Sequence, residues 1–214
     1  MKKTTYLLLS LATIIITITS CKKNDTTAPV ITLKGNNPDV VVWGSSANYV
    51  DPGATVVDDM DGTLSIDTIT GTVNMFAAGN YTLTYTATDA ASNQGTATRT
   101  VVVDAAPYLN GHFTVNNYII TTFDATYIDT LAITTTNNTL TFKHFATYQN
   151  AKVTATVAGT TITIPQQTMA CGLPTHTRTF SGSGTFANDS VFTINYTIAD
   201  STLVYSGHGN YVRN

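Results

Sequence analysis

Aspartates gather in one short stretch of this chain. Asp51, Asp58, Asp59 and Asp61 fall within eleven residues, and Asp89 lies further along, after a run that alternates threonine with apolar residues. Calcium takes about six to eight oxygen ligands, and carboxylates are among its usual donors. Aspartate next to glycine is also a common turn former, and the spacing lacks the D-x-D-x-D-G order of a dedicated calcium loop. The five aspartates therefore predict either a Ca²⁺ site or a set of turn and capping residues.

A second set of candidate residues is aromatic. A tyrosine ring can stack on a sugar or an apolar molecule while its hydroxyl makes a hydrogen bond, although most tyrosines of a small domain pack in its core. The tyrosines chosen on this basis lie in the carboxyl-terminal half and are Tyr118, Tyr127, Tyr205 and Tyr211. We expect them to bind a glycan, a small apolar molecule or a surface protein.

Catalytic motifs are not found in the sequence. All 13 acidic residues are aspartate, so the zinc motif H-E-x-x-H cannot occur, and there is no G-x-S-x-G elbow, phosphate-binding P-loop or C-x-x-C pair. Cys171 has His176 close by in sequence, but a nucleophilic cysteine needs a positioned base and a lowered pKa. A passive thiol is the simpler interpretation. We predict that the protein is not an enzyme and has no cofactor beyond the possible calcium ion.

The amino terminus carries the features of an export sequence. Lys2 and Lys3 precede a short apolar run, and the run ends in Ile18-Thr19-Ser20-Cys21. This ending resembles the lipobox of bacterial lipoproteins. The resemblance implies that residues 1–20 are a signal peptide, that Cys21 carries the lipid, and that residues 21–28 form a tether at the outer membrane. An ordinary secretory signal peptide is the alternative.

The composition indicates strands rather than helices. Threonine, valine, isoleucine and tyrosine are abundant, glutamate is absent, and 43% of the residues are hydrophobic, which is enough for a packed core. Only 11% of the residues are charged, with a net charge of −3, so nothing in the chain could neutralise a run of phosphates and nucleic acid is excluded as a partner. The fold class is therefore predicted to be all-β.

Residues 29–104 show six or seven short strands separated by turns, as in a β-sandwich. Three segments occur in order: Y-V-D-P-G-A at 49–54, D-D-M-D-G at 58–62, and G-N-Y-T-L-T-Y-T-A-T-D at 79–89. Together they resemble the bacterial surface Ig-like domain, a family that also occurs in insecticidal crystal toxins. The resemblance implies a spacer or adhesion module.

Residues 108–214 show eight candidate strands joined mostly by short turns, which predicts an antiparallel up-and-down β-barrel. The G-H-F start at 111–113, the S-G-S-G-T-F run at 181–186 and the G-H-G-N-Y-V run at 207–212 resemble the calycin or lipocalin-like domains of Bacteroidetes lipoproteins. A two-sheet sandwich is the alternative. Residues 123–125 and 165–175 are predicted to be irregular loops.

These features predict a lipid-anchored envelope protein in which an Ig-like β-sandwich presents a binding calycin-like β-barrel. Residues 108–214 are expected to fold without the first domain and to retain the binding activity. Two other hypotheses stay open: an adhesin or assembly partner without a ligand pocket, and, least favoured, an envelope hydrolase.

Overall fold

The computed structural model describes residues 24–171 and 176–214. Nearly all regular structure in these ranges is β-strand, which confirms the predicted all-β class, and the single helix there is the four-residue α1 (Ala106–Leu109). None of the helical structure described is long or apolar enough to cross a membrane. The predictions for the signal peptide and for Cys21 lie outside the described residues.

The first domain consists of two small sheets. One is antiparallel, in the order β1 (Val30–Leu33), β3 (Ala54–Asp58), β4 (Gly62–Leu64). The other has the order β2 (Asp39–Val42), β7 (Gln94–Asp104), β6 (Gly79–Thr88), β5 (Thr68–Thr70), with β2 parallel to β7. Apolar residues alternate with threonine along β6, so one face of this strand packs inward, with Leu83 and Tyr85 buried beside Val101 of β7.

A buried arginine joins the two sheets of this domain. Arg99 on β7 has no exposed surface, and its Nε lies 3.2 Å from Asp51 Oδ1. The Tyr85 hydroxyl also donates to Asp51. The two other guanidinium nitrogens donate to the backbone carbonyls of Lys34, Asn36 and Gly53. Each nitrogen of this cation therefore has at least one oxygen partner, which is what a buried charge requires.

The second domain is a closed eight-stranded barrel. Strands that follow each other in sequence pair antiparallel, and the last strand pairs with the first. The strands are β8 (Gly111–Ile119), β9 (Thr122–Ile133), β10 (Thr139–Phe142), β11 (Val153–Ala158), β12 (Thr161–Ala170), β13 (Thr177–Phe186), β14 (Val191–Ala199) and β15 (Val204–Arg213). This confirms the up-and-down barrel and excludes the two-sheet alternative.

Two predicted loops are strands instead. Residues 123–125 belong to β9, where Asn117 pairs with Ala125 and Tyr118 with Phe123, so that Asp124 is the extra residue of a β-bulge. Residues 165–170 belong to β12, whose register shifts between Ile164 and Gln167. Pro165 lies at this shift because proline cannot donate to the ladder. The loop predictions were wrong here since a bulge tolerates residues that otherwise favour turns.

Aromatic side chains fill one end of the barrel, and the first domain supplies part of the filling. The ring of Trp43, which follows β2, lies 4.5 Å from that of Tyr108 in α1 and 5.3 Å from that of Phe186 at the end of β13. Leu109 of α1 is fully buried in the same cluster. The two domains therefore share one hydrophobic core, which the predicted independence of residues 108–214 did not anticipate.

Asn138, in the β9–β10 turn, fixes the junction by hydrogen bonds. Its side-chain oxygen accepts from Ala105 N at 2.7 Å, and its side-chain nitrogen donates to Val103 O at 2.9 Å. Its backbone nitrogen donates to Asp104 Oδ1 at 2.7 Å. Asn138 has a φ of 56°, a conformation that asparagine tolerates better than most residues. We refer to this end, with Trp43, α1 and Asn138, as the closed end.

Candidate ligand site at the open end of the barrel

The opposite end of the barrel contains a pocket of about 260 Å³. It lies where β8 and β14 finish and β13 and β15 begin, together with the ten-residue β10–β11 connection at 143–152. We call it the open-end pocket. Its lining residues are Asn117, Ile119, Ala146, Thr147, Tyr148, Arg178, Tyr196, Ile198 and Tyr205.

One wall of the open-end pocket has strained backbone. Ala146 and Thr147 have φ values of 49° and 71°. A β-branched residue such as Thr147 is rarely found in this left-handed region. Such strain costs about 1–3 kcal/mol and persists only where the surrounding structure enforces it. The fully buried Phe145 anchors the segment, and Tyr148 N donates to Phe145 O at 3.0 Å. Tyr148, which follows this strained pair directly, lines the pocket, and strained residues tend to cluster at functional sites.

The cation of this pocket, Arg178, differs from the other two arginines of the chain. Arg99 pairs with Asp51, and Arg213 has its Nε 3.2 Å from an oxygen of Asp189. Arg213 also donates to three backbone carbonyls, those of Tyr108, Asn110 and Asp189. Within the described ranges, the guanidinium of Arg178 donates only to the sulfur of Cys171, at 3.9 Å, and its buried Nε has no partner.

Arg178 is nevertheless held in place. Its guanidinium carbon lies 4.7 Å from the centre of the Tyr148 ring, a cation–π contact. Burial raises the pKa of the Tyr148 hydroxyl. It also raises the pKa of the Tyr196 hydroxyl to about 12. Both phenols are therefore protonated at neutral pH, and Arg178 supplies the positive charge of the pocket.

The floor of the pocket is a short polar chain. The Tyr196 hydroxyl donates to Asn117 Oδ1 at 2.8 Å, and Asn117 Nδ2 donates to Asp124 Oδ2 at 3.1 Å. Asn117 is only 1% exposed. Apolar side chains such as Ile119 and Ile198 complete the walls, so the pocket combines apolar walls with a few fixed polar groups, as small-molecule sites usually do.

The structure brings one of the four predicted tyrosines to this pocket. Tyr205 lines it. Tyr118 points out of the barrel, where its ring stacks on His208 at a centroid distance of 4.7 Å. Tyr211 is almost fully buried in the barrel interior, and Tyr127 packs against the same core. Arg178 was not predicted from the sequence, since the order of residues does not show which hydrogen-bond partners a side chain meets.

A buried carboxyl group lies deeper in the barrel. Asp129 has no exposed surface, and its Oδ1 accepts from the backbone nitrogens of Thr130, Lys143 and His144 at 2.6–2.9 Å. The Tyr211 hydroxyl lies 3.5 Å from its Oδ2. Burial raises the pKa of Asp129 to about 7, despite these hydrogen bonds. The group ties β9 to the start of the 143–152 connection below the pocket.

The predicted aspartate cluster separates into different environments. Asp58 and Asp61 lie close together at the β3–β4 turn. Asp51 forms an ion pair with Arg99, and Asp59 is exposed. Asp89 accepts from both the backbone and the side-chain nitrogen of Asn93, at 2.8 and 2.7 Å. Burial opposes ionisation of Asp89, but its hydrogen bonds with Asn93 and neighbouring backbone hold its pKa below the usual value.

Two wider depressions, of about 550 and 530 Å³, lie on the outer face of the barrel along β13 and β14. They share Ser183 and Asn195 and are lined mainly by serine, threonine and glycine. Both are shallow and open to solvent. The open-end pocket is smaller but more enclosed, so we take it as the candidate site.

Comparison with known proteins agrees with the architecture of the first domain. Residues 31–103 match the family model of the bacterial surface protein, Ig-like domain. This confirms the resemblance inferred from the three segments of the sandwich. The curated proteins include no match to the chain.

One solved structure similar to this chain is that of the lipoprotein BT2262 from Bacteroides thetaiotaomicron. It is 17% identical, and the alignment covers 87% of this chain and 100% of that chain with a TM-score of 0.33. The interpretation of the open-end pocket therefore rests on the contacts within this chain.

Proposed function

We propose that this protein is a lipid-anchored surface protein whose barrel binds a small carboxylate-bearing ring compound in the open-end pocket. The observation that carries the proposal is the guanidinium of Arg178, which lines the pocket and has no oxygen partner in the described ranges, whereas Arg99 and Arg213 each pair with an aspartate. An arginine fork matches a carboxylate in charge and geometry.

The size of the pocket supports a ligand built on one ring. A dry engineered cavity of about 150 Å³ holds benzene. A pocket of about 260 Å³ therefore has room for a single substituted six-membered ring. The rings of Tyr148 and Tyr205 line the pocket and offer aromatic contacts that suit a sugar ring or an aromatic ring.

The lining supports binding rather than catalysis. Among the residues that the structure describes, those lining the open-end pocket include no carboxylate, histidine or thiol, so they offer no general base and no obvious nucleophile. Asp129 lies deeper in the interior, and its Oδ1 is taken up by three backbone donors.

The course of β7 supports a spacer role for the Ig-like domain. This strand begins at Gln94, next to Asn93, whose side chain contacts the carbonyl of Asp25, and it ends at Asp104 beside the closed end of the barrel. Eleven residues at about 3.3 Å each span roughly 35 Å. Asp25 thus meets one end of the domain and the barrel meets the other, so an anchor at Cys21 would lie away from the open-end pocket.

Anchoring at the outer membrane through Cys21 is part of this proposal and follows from the lipobox resemblance and the surface-protein family of residues 31–103. Two or more acyl chains give stable anchoring. A Cys21→Ser variant is expected to lose labelled palmitate and to leave the membrane fraction. Retention of the variant in membranes, at the level of the unmodified protein, would refute the anchor.

Calorimetric titration of the mature protein in mild detergent tests the binding proposal. We expect glucuronate or benzoate to bind, and the matched neutral compounds glucose and benzyl alcohol to bind at least tenfold more weakly, because a hydrogen bond to a charged group contributes about 1.5–3 kcal/mol. Glucuronate compared with glucose tests for a sugar acid, and benzoate compared with benzyl alcohol tests for an aromatic acid.

The matched variants are Arg178→Ala and Lys34→Ala. Lys34 is an exposed cation of the first domain, so its removal changes the net charge equally and leaves the pocket intact. Arg178→Ala should weaken binding by about 10–100-fold, whereas Lys34→Ala should not change it. Equal binding of acids and neutral compounds, unchanged affinity in Arg178→Ala, or no binding of either acid would refute the proposal.

A further inference from the structure

Three aspartates meet at the end of the Ig-like domain that faces the amino terminus. One carboxylate oxygen each from Asp25, Asp58 and Asp61 lies within 4.8 Å of the other two. Asp58 and Asp61 flank the β3–β4 turn, whereas Asp25 belongs to the segment that precedes β1. Three negative charges this close repel each other unless a cation lies between them.

Asp58 provides an independent observation that points to a ligand. The residue is 4% exposed, and its Oδ1 accepts from the backbone nitrogens of Met60 and Asp61, both at 2.9 Å. Its Oδ2 is buried and has no hydrogen-bond partner in the described part of the chain. Leaving a buried carboxylate oxygen without a partner is costly, so an unsatisfied oxygen beside two other carboxylates indicates a cation-binding position.

We infer that Asp25, Asp58 and Asp61 bind a calcium ion, which fixes the segment following Cys21 against the Ig-like domain. Calcium fits because it prefers oxygen ligands and accepts irregular geometry, whereas zinc favours sulfur and nitrogen. Magnesium requires a near-ideal octahedron and keeps several waters. The three carboxylates provide at least three of the oxygens that calcium takes, one from each residue, and the exposed side of Asp61 leaves room for water.

These three ligands differ from the five aspartates predicted from the sequence. Asp89 was among the predicted ligands, but it has a different role. Asp89 holds Asn93 by two hydrogen bonds, and Asn93 Nδ2 donates to the carbonyl oxygen of Asp25 at 3.3 Å. Asp89 is therefore a positioning residue that helps to bring Asp25 to the site. Asp61 Oδ2 in turn accepts from Ala90 N at 2.7 Å, which ties the two turns together.

Calcium binding at Asp25 would restrict the orientation of the protein on its anchor. Asp25 lies four positions after Cys21, so a bound ion would leave almost no free chain between the lipid and the folded domain. Extracellular modules typically bind calcium with a Kd of about 10⁻⁴–10⁻³ M. The tether would be held at millimolar calcium and released when calcium is removed.

Thermal unfolding of the mature protein in mild detergent tests the site. About 5 mM CaCl₂ should raise the Tm by roughly 2–6 °C over EGTA, because a ligand that binds only the folded state stabilises it. Asp25→Asn should lose at least half of this shift. The control Asp59→Asn removes an exposed neighbouring carboxylate outside the cluster and should keep the full shift.

Hydrogen exchange separates clamping of the tether from a general effect on stability. Amide exchange of residues 24–28 should slow at least several-fold in calcium, and Asp25→Asn should abolish the slowing even if that variant is less stable. No Tm shift in the unmodified protein, an equal shift in Asp25→Asn, or unchanged exchange of residues 24–28 would overturn the inference. An equal shift from MgCl₂ would overturn the assignment to calcium.

Discussion

The two ends of the barrel are formed by the same eight strands but are finished in opposite ways. At the closed end, Trp43 and Tyr108 pack their rings against Phe186, and α1 places Leu109 in the core. At the open end, the ten-residue connection at 143–152 leaves a pocket of about 260 Å³. The alternating strands therefore form the barrel, whereas the connections between strands determine whether each end is filled with side chains or left open.

One polar side chain at each end, Asn138 and Arg178, shows a similar contrast. Asn138 at the closed end satisfies its side-chain oxygen, its side-chain nitrogen and its backbone nitrogen within the protein. Arg178 at the open end has one weak contact to sulfur within the described residues. A satisfied polar group stabilises the fold, whereas an unsatisfied one is available to a ligand.

The largest expected effect is at the closed end. Trp43→Ala should lower the free energy of unfolding by about 3–5 kcal/mol, the usual loss for a buried aromatic side chain, and the Tm by roughly 10 °C. Tyr205→Ala, which removes a partly exposed ring at the open end, should change the free energy of unfolding by less than about 1 kcal/mol. Denaturant unfolding measures both values. Equal losses in the two variants would contradict the division between a filled and an open end.

Asp129 should make the stability of the protein fall as the pH rises. Burial raises its pKa to about 7, so between about pH 4 and pH 7 the folded chain holds a proton that the unfolded chain has lost. Relative to Asp129→Asn, the unmodified protein should lose on the order of 2–4 kcal/mol of stability between pH 4 and pH 7.5. Urea unfolding across this range measures the difference, and parallel curves would show that Asp129 titrates normally.

Asn138→Ala should cost about 1–3 kcal/mol, because two buried backbone groups of the domain junction lose their partners and alanine is disfavoured at a φ of 56°. The neighbouring Asn137→Ala is the control, since Asn137 is exposed. If the two domains unfold in a single transition in the parent protein, Asn138→Ala should broaden or split it. Calorimetry showing identical behaviour of both variants would contradict the role of Asn138 at the junction.

The smallest expected effect is on the affinity for the ligand, and it distinguishes Tyr205, in the lining of the pocket, from Tyr118, outside the barrel. Tyr205→Ala should weaken carboxylate binding several-fold, because it removes a stacking surface of the open-end pocket. Tyr118→Ala should leave the affinity unchanged, since this ring lies outside the barrel against His208. Calorimetric titration with glucuronate or benzoate measures the affinity of both variants. A larger loss in Tyr118→Ala would place the ligand on the outer face.

The sequence was sufficient for features that depend on neighbours along the chain. Alternation of apolar and hydroxyl residues predicted the strands, and short turns predicted the antiparallel order that the barrel follows. The sandwich was predicted from segments such as residues 79–89, whose alternation matches β6.

The remaining features depend on contacts between distant residues. Trp43 completes a barrel that begins about 70 residues later, and Arg178 is distinguished only by the partners that it lacks. Asp25 lay within a predicted tether, and nothing local showed that it meets Asp58. The bulge that moves Asp124 toward Asn117 is also invisible in a pattern of alternation.

Amide NMR of the labelled protein during titration with glucuronate or benzoate tests the central claim most directly. We expect chemical-shift changes concentrated at Asn117, Thr147 and the Arg178 side chain, with the Trp43 indole at the closed end unaffected and the changes lost in Arg178→Ala. Shift changes at Ser183 and Asn195 on the outer face, or changes that persist in Arg178→Ala, would contradict it.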